Sequence, residues 1–404
     1  YDLTTGQQIV VEEVEEVSTG QVDVKVYVIE EQLPPPASAG GGGFLTDPTP
    51  TTTYMSTTTA TTTTYRENNM IKKSLTNLAI AATLATAGTA AFADCGDVQI
   101  AEMNWASAEL MANVDKIILE NGYGCDVELV PGATMTSFAS MNEKGQPDVA
   151  PELWINAVRD PLNAAMDEGR LHSTNAGPIT QLGEGWWVTP AFQAAHPELD
   201  TVVKILERPD LFPDAEDSSK GAFVGCPAGW GCQLANANLF RAFDMEAKGW
   251  TLVDPGSAAG LDGSIAKAGD RGENWFGYYW SPTAMVGKYG LIPIDFGVPF
   301  AGTDNWDGCI VKAEQDCADP QASAWTVSEV HTIITDSLKN KGGIAVDYLE
   351  ARTYPGPIMN AMLVYMGEEQ AGGEDAAIEF LTQHEDLWTS WVSADAAAKI
   401  KAGL

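Results

Sequence analysis

From about residue 94 onward the sequence predicts an α/β protein of two lobes, each a mainly parallel sheet flanked by helices. Three observations carry that expectation. The stretch from residue 94 to Leu404 is long enough to bury two separate cores. Its start alternates strand, helix, strand, helix, strand, the order that a parallel sheet with crossover helices requires. A second unit with its own strands and helices follows Gly185-Trp186-Trp187-Val188-Thr189-Pro190. The expected division places residues 94–185 and 325–404 in the first lobe and 186–324 in the second. The chain would cross near 185–190 and again near 318–327.

Val98-Gln99-Ile100-Ala101-Glu102-Met103 reads as the first strand. Ala106 to Asn121 reads as a helix, because Leu110, Val114, Ile117 and Ile118 share one face and Gly122 and Gly124 stop it. Residues 127–131 make a second strand, Thr136 to Glu143 a second helix, and Asp148-Val149-Ala150 a third strand. In the second unit a helix is expected from about Gln233 to Met245 and an aromatic strand over Trp275 to Trp280. From about Trp325 the chain is expected to be helical, with amphipathic helices over Gln370 to His384 and Leu387 to Lys401. Ligands of such sheets sit beyond the carboxyl ends of the strands. Trp105 and Trp154 both fall just after strand ends.

Met70 opens a short cationic start with Lys72 and Lys73, and Leu75 to Ala91 then carries no charge. Ala91-Phe92-Ala93 supplies the small residues that a signal peptidase reads. This order assigns 70–93 to a secretory signal peptide and the chain beyond it to the periplasm. Asp94 stands before Cys95, where a lipoprotein carries a small residue, so no lipid anchor is expected. Residues 1–69 contain Pro34-Pro35-Pro36, a glycine run from Gly40 to Gly43 and a Thr-rich tract from Thr49 to Thr64. That composition cannot bury a core and is expected to be disordered or a linker. It reads as upstream sequence fused to the gene, with a Thr-rich stalk as the alternative. Gln21 to Glu31 alternates like a strand.

The chain has formal charge −34, and from Asp94 it holds 46 acidic and 18 basic residues. A surface this acidic repels nucleic acid and anionic lipid. All six cysteines follow the signal, in a destination that permits disulfides. Short spacing proposes Cys226–Cys232 and Cys309–Cys317, which leaves Cys95–Cys125; other pairings stay open. Cys95 and Cys125 each precede a strand, so neighbouring parallel strands would bring them to one edge. Metal binding is the weaker reading, since no CxxC pair occurs and His172, His196, His331 and His384 are scattered.

Gly225-Cys226-Pro227-Ala228-Gly229-Trp230-Gly231-Cys232 carries the most chemistry. A disulfide would close it into a tight loop that delivers the chain into a helix at Gln233. The free N–H groups of Gly231 and Cys232 would lie at the positive end of that helix, where a carboxylate binds. Trp230 stands beside them. The alternative is a stapled surface turn. Twelve tryptophans are present, and Trp105, Trp154, Trp230 and Trp280 lie where a pocket would form. Their faces attract a cation, most strongly when water is excluded. Trp250, Trp325, Trp388 and Trp391 are assigned to the core, and Trp306 to neither.

The segments Cys226 to Cys232 and Tyr278 to Pro282, with Asp148 to Trp154, resemble those of the glycine-betaine-binding proteins of ABC importers. The resemblance spans essentially Asp94 to Leu404. It implies a two-lobed periplasmic-binding-protein fold (type II) with the ligand in the interlobe cleft. It implies delivery of glycine betaine or a related methylated zwitterion to an ABC permease with its ATPase, by a monomer with no cofactor, no metal and no catalytic residue. Trp154, Trp230 and Trp280 would box the trimethylammonium group, Trp105 and Trp187 would add to the cage, and the Gly231 and Cys232 amides would hold the carboxylate. Some members carry a His four residues after the first-lobe Trp; this chain has Val158, with Asn156 and Arg159 as candidate substitutes. Choline and dimethylsulfoniopropionate are the main competing ligands. An exported enzyme is the rival class. Gly256-Ser257-Ala258-Ala259-Gly260 misses the Gly-x-Ser-x-Gly pattern, and His384-Glu385 lacks the second His of a zinc motif. Paired acids carry little information in so acidic a chain.

Overall fold

The computed structural model describes residues 8–17, 21–29 and 95–404. The expected signal segment and most of 1–69 lie outside the described residues. Strands β1 (Gln8–Val17) and β2 (Gln21–Ile29) pair as an antiparallel hairpin, β2 falling where the Val alternation occurs.

Residues 95–404 build two five-stranded sheets. The first contains β3 (Asp97–Met103), β4 (Asp126–Gly132), β5 (Val149–Trp154) and β6 (Leu171–Asn175). The second contains β7 (Gly183–Val188), β8 (Gly221–Val224), β9 (Trp250–Val253), β10 (Phe276–Ser281) and β11 (Ile292–Pro293). The chain then returns to the first sheet as β12 (Val330–Thr335). The strand orders are β4-β3-β5-β12-β6 and β9-β8-β10-β7-β11. In each sheet one strand runs against the other four: β12 is antiparallel to β5 and β6, and β7 to β10 and β11. These are the strands on which the chain enters from the other lobe. Val330 pairs with Trp154 and Gly183 with Ser281, so each enters at the end where its neighbour finishes and must run back.

Three expectations change. The first crossing lies between Asn175 and Gly183, ahead of 185–190, because Gly183 and Glu184 already pair with Ser281 and Trp280 of the second sheet. The region after Trp325 is not all helix: Val330–Thr335 is a central strand, its register shifted between His331 and Ile333. The helix expected over Leu387 to Lys401 is broken. A short helix ends at Trp388, and Ser393 caps a new helix, Ala394–Gly403, by accepting the Ala396 N–H.

Helix Ala106–Ile118 buries Leu110, Met111, Val114 and Ile118, and the chain ends it with Gly124 in the left-handed region after one π-turn. Cys95 and Cys125 are disulfide-bonded, as expected of residues that precede two parallel strands paired in register from Asp97 and Asp126. Cys226–Cys232 and Cys309–Cys317 are also bonded. Among the described residues one ion pair is completely buried. Arg352 Nη2 donates to Asp115 Oδ2 at 2.8 Å, Tyr348 Oη to Asp115 Oδ1 at 2.7 Å, and Arg352 Nη1 to Thr332 Oγ1 at 3.1 Å. The network ties helix Ala106–Ile118 to β12 and to the segment after helix Ile344–Ala351.

Candidate functional site

A cavity of about 470 Å³, counting the part open to solvent, lies between the carboxyl ends of the two sheets. Trp105 reaches it from the turn between β3 and the next helix, and Trp154 from the last residue of β5. Trp230 precedes helix Gly231–Ala242. Tyr278 and Trp280 are two residues apart on β10 and so share a face. The rings of Trp105, Trp230, Trp280 and Tyr278, with Trp325 and Trp306 beyond them, form a continuous wall. Trp105 and Trp230 meet edge to face at 5.4 Å, Trp230 and Trp280 at 5.1 Å. Tyr278 follows Trp280 at 6.3 Å, Trp325 follows Tyr278 at 5.4 Å, and Trp306 follows Trp325 at 5.2 Å.

Two carboxyl groups stand at this wall. Glu184 lines the cavity and accepts from the Tyr278 hydroxyl at 2.8 Å and from Asn156 Nδ2 at 3.3 Å. Burial pushes it up to about 6, against the pull of the Tyr278 hydrogen bond. Glu152 is fully buried one step behind. Its Oε1 accepts from Trp105 Nε1 at 2.8 Å, Trp154 Nε1 at 2.9 Å and Ser107 Oγ at 2.9 Å. Burial raises it to about 7, with the Trp105, Trp154 and Ser107 bonds opposing. No residue lining the cavity is basic.

At the other side of the cavity, helix Gly231–Ala242 points its first turn inward. Its leading amides have no partner within the helix, and its partial positive charge lies there. The Cys226–Cys232 bond ties the preceding loop to that turn, with Gly229 at φ +86°. The lobes are closed across the site. Trp230 Nε1 donates to Asn104 Oδ1 at 2.8 Å, the Met135 amide to the Gly229 carbonyl at 3.2 Å, and Lys312 lies 3.7 Å from Asp160. Gly231 has no room for a side chain: a Cβ there would lie 2.4 Å from the Ala157 Cβ of the opposite lobe. Gly231→Ala is therefore expected to weaken ligand binding about tenfold or more by holding the lobes apart. Its thermal unfolding in the absence of ligand should stay within a few degrees of wild type. Titration and a melting curve measure the two.

Of the residues expected to form a site, Trp105, Trp154, Trp230, Gly231, Cys232 and Trp280 border this one cavity. Trp187 does not. Trp186 packs among Phe223, Phe276 and Phe296, and the Trp187 ring, its neighbour along β7, is buried with its Nε1 donating to the Tyr279 carbonyl at 2.8 Å. Trp325, assigned to the core, is a lining residue, because the chain returning to the first lobe passes the cleft there. Trp306 lines it too, while Trp250, Trp388 and Trp391 are buried in the cores. Val158 is buried and offers no donor, and Arg159 turns to Glu329 at 2.8 Å. Asn156 is the candidate substitute that faces the cavity. Tyr278 lay inside a motif already singled out, and Asn156 was marked by its place after Trp154; Glu184 had no local pattern to mark it.

Among solved structures, a choline-binding protein of an ABC transporter in complex with choline superposes with a TM-score of 0.58 at 17% identity, covering 76% of this chain and 98% of that one. The glycine betaine/L-proline-binding protein ProX from Borrelia burgdorferi gives 0.58 at 16% identity, with 75% and 99% covered. Lactococcal OpuAC in its closed form with glycine betaine gives 0.55 at 18%, with 74% and 100% covered. At these identities the likeness shows the two-lobed fold. No curated protein gives a sequence match. Residues 96–383 match the family described as OpuAC, substrate binding domain of ABC-type glycine betaine transport system. The chain belongs to that family of transport substrate-binding domains.

Proposed function

We propose that this protein captures a small solute bearing a quaternary ammonium group outside the cytoplasm and delivers it to an ABC permease driven by its ATPase. The observation that carries this reading is the wall of Trp105, Trp230, Trp280 and Tyr278 in a cavity without a basic side chain. A trimethylammonium group has no N–H to donate, so it is recognised by ring faces in a site from which water is excluded. The carboxylate of glycine betaine would rest on the leading amides of helix Gly231–Ala242. Three disulfides suit an oxidising compartment, which supports the periplasmic location. Among the described residues no helix is long and apolar enough to cross a membrane. The protein acts as a monomer and carries out no chemistry on its ligand.

Glu184 favours a second reading, choline. A zwitterion brings no net charge to the cavity, whereas a monocation brings the one that offsets an ionised Glu184. Calorimetric titration of the full chain with glycine betaine, choline, dimethylsulfoniopropionate and proline tests both. Binding of at least one methylated onium solute, with proline much weaker, supports the proposal; no binding of any onium solute refutes it. Glu184→Gln should lower choline affinity about tenfold or more, since a charge pair at an effective dielectric of about 20 is worth over 1.4 kcal/mol at cleft distances. Glycine betaine should change less. Equal losses for both would reject the choline reading.

A further inference from the structure

Glu152 lies outside the cavity yet holds two of its walls. It is fully buried, and a single oxygen accepts both cage indole N–H groups and the Ser107 hydroxyl. Its Oε2 has no hydrogen-bond partner. A glutamine oxygen could accept the same indoles at a smaller cost of burial. The acid therefore does more than fill space and fix ring angles.

We propose that Glu152 is a positioning residue that sets the cation affinity of the site: its carboxylate locks the Trp105 and Trp154 rings and makes their faces more negative toward a quaternary ammonium. The inference rests on the reading of the cavity as an onium site. Its physics has two parts. Hydrogen bonds to an ionised acceptor are roughly twice as strong as neutral ones, so the two rings are held firmly. An N–H that donates to a carboxylate also polarises the indole, and cation–π attraction follows the charge on the ring face. The groups that act on Glu152 are few. Trp105 and Ser107 face it from the start of helix Ala106–Ile118, Trp154 from its own strand, and Arg352 and Tyr354 from the segment after helix Ile344–Ala351. Arg352 is the cation among them, and Asp115 already takes its charge. The negative charge of Glu152 is thus left to act on the cage.

A bound cation favours the ionised form of Glu152. Affinity for a cation is therefore full above the free-state value of about 7 and falls as pH drops through it. Burial raises Glu184 as well, to about 6, so the part that Glu152 contributes is read from the difference between the wild-type and Glu152→Gln profiles.

The test uses the full chain, choline, and 3,3-dimethyl-1-butanol, which replaces the charged nitrogen of choline by carbon. Glu152→Gln should lower choline affinity about tenfold, leave the neutral isostere within about twofold, and flatten the choline profile between pH 8.5 and 6.5. Equal losses for both ligands, or an unchanged choline affinity and profile, would overturn the proposal. A measurement on the wild type keeps the test open should the variant fail to fold. At pH 7, titration in two buffers of different ionisation heat should show more proton release with choline than with the isostere; equal release with both would also overturn it. If wild type binds neither choline nor glycine betaine, or binds the isostere as tightly as choline, the onium reading itself fails and this inference with it.

Discussion

Trp230→Ala should weaken binding of the quaternary ammonium solute about 100-fold while the folded protein persists. Trp230 is the ring on which the cage turns: it meets Trp105 at 5.4 Å on one side and Trp280 at 5.1 Å on the other. Its removal takes away one cation–π face, worth about 2 kcal/mol where the bound ligand displaces water. It also removes the bond from Nε1 to Asn104 Oδ1 across the closed lobes, a net contribution of about 1 kcal/mol. Together these correspond to roughly two orders of magnitude in Kd. Trp230→Phe should recover part of the loss, because it restores a ring face but not the interlobe hydrogen bond. Calorimetric titration measures the affinities, and circular dichroism with a thermal melt confirms folding. An affinity within about threefold of wild type would place Trp230 in the core and not in the cage.

The largest effect on stability is expected at Asp115. Asp115→Asn should cost about 3–5 kcal/mol, because it leaves the Arg352 guanidinium buried and uncompensated. The two partners are not equivalent. Arginine cannot shed its proton, whereas burial already raises the Asp115 carboxyl, so an Asp115 without its partner can neutralise itself by taking one up. Arg352→Met should therefore destabilise less than Asp115→Asn, and the gap should widen as pH falls. The double variant Asp115→Leu with Arg352→Met should recover most of the lost stability, since replacing a buried ion pair by apolar groups is often neutral. Denaturant unfolding of the three variants at pH 5 and pH 8 measures this. A cost below about 1 kcal/mol for Asp115→Asn would show that the pair is not structural.

The parts of the fold legible in the sequence were those with a local period or a covalent marker. The opening β3, β4 and β5 could be read because hydrophobic alternation and glycine stops set them apart, and the parallel pairing of β3 with β4 explains the Cys95–Cys125 bond. β12 was missed because it is only six residues, Val330–Thr335, after an irregular stretch and just before helices, and takes its place in the sheet from β5 and β6, far away in sequence. In the site, Gly229-Trp230-Gly231-Cys232 and Tyr278-Tyr279-Trp280 announced themselves as clusters of aromatic and glycine residues. Trp325 and Trp187 exchanged roles for a topological reason: one lies where the chain re-enters the first lobe, the other inside β7 with its N–H spent on the Tyr279 carbonyl. Glu152 and Glu184 were hidden by composition, since 56 acidic residues make any one unremarkable until burial separates it from the rest.

A crystal structure of the protein with choline or glycine betaine bound tests the aromatic cage most directly. The quaternary nitrogen should lie within about 6 Å of the ring centroids of Trp105, Trp230 and Trp280, with any carboxylate on the leading amides of helix Gly231–Ala242. A ligand seated elsewhere, or one whose ammonium group lies away from these rings, would contradict it.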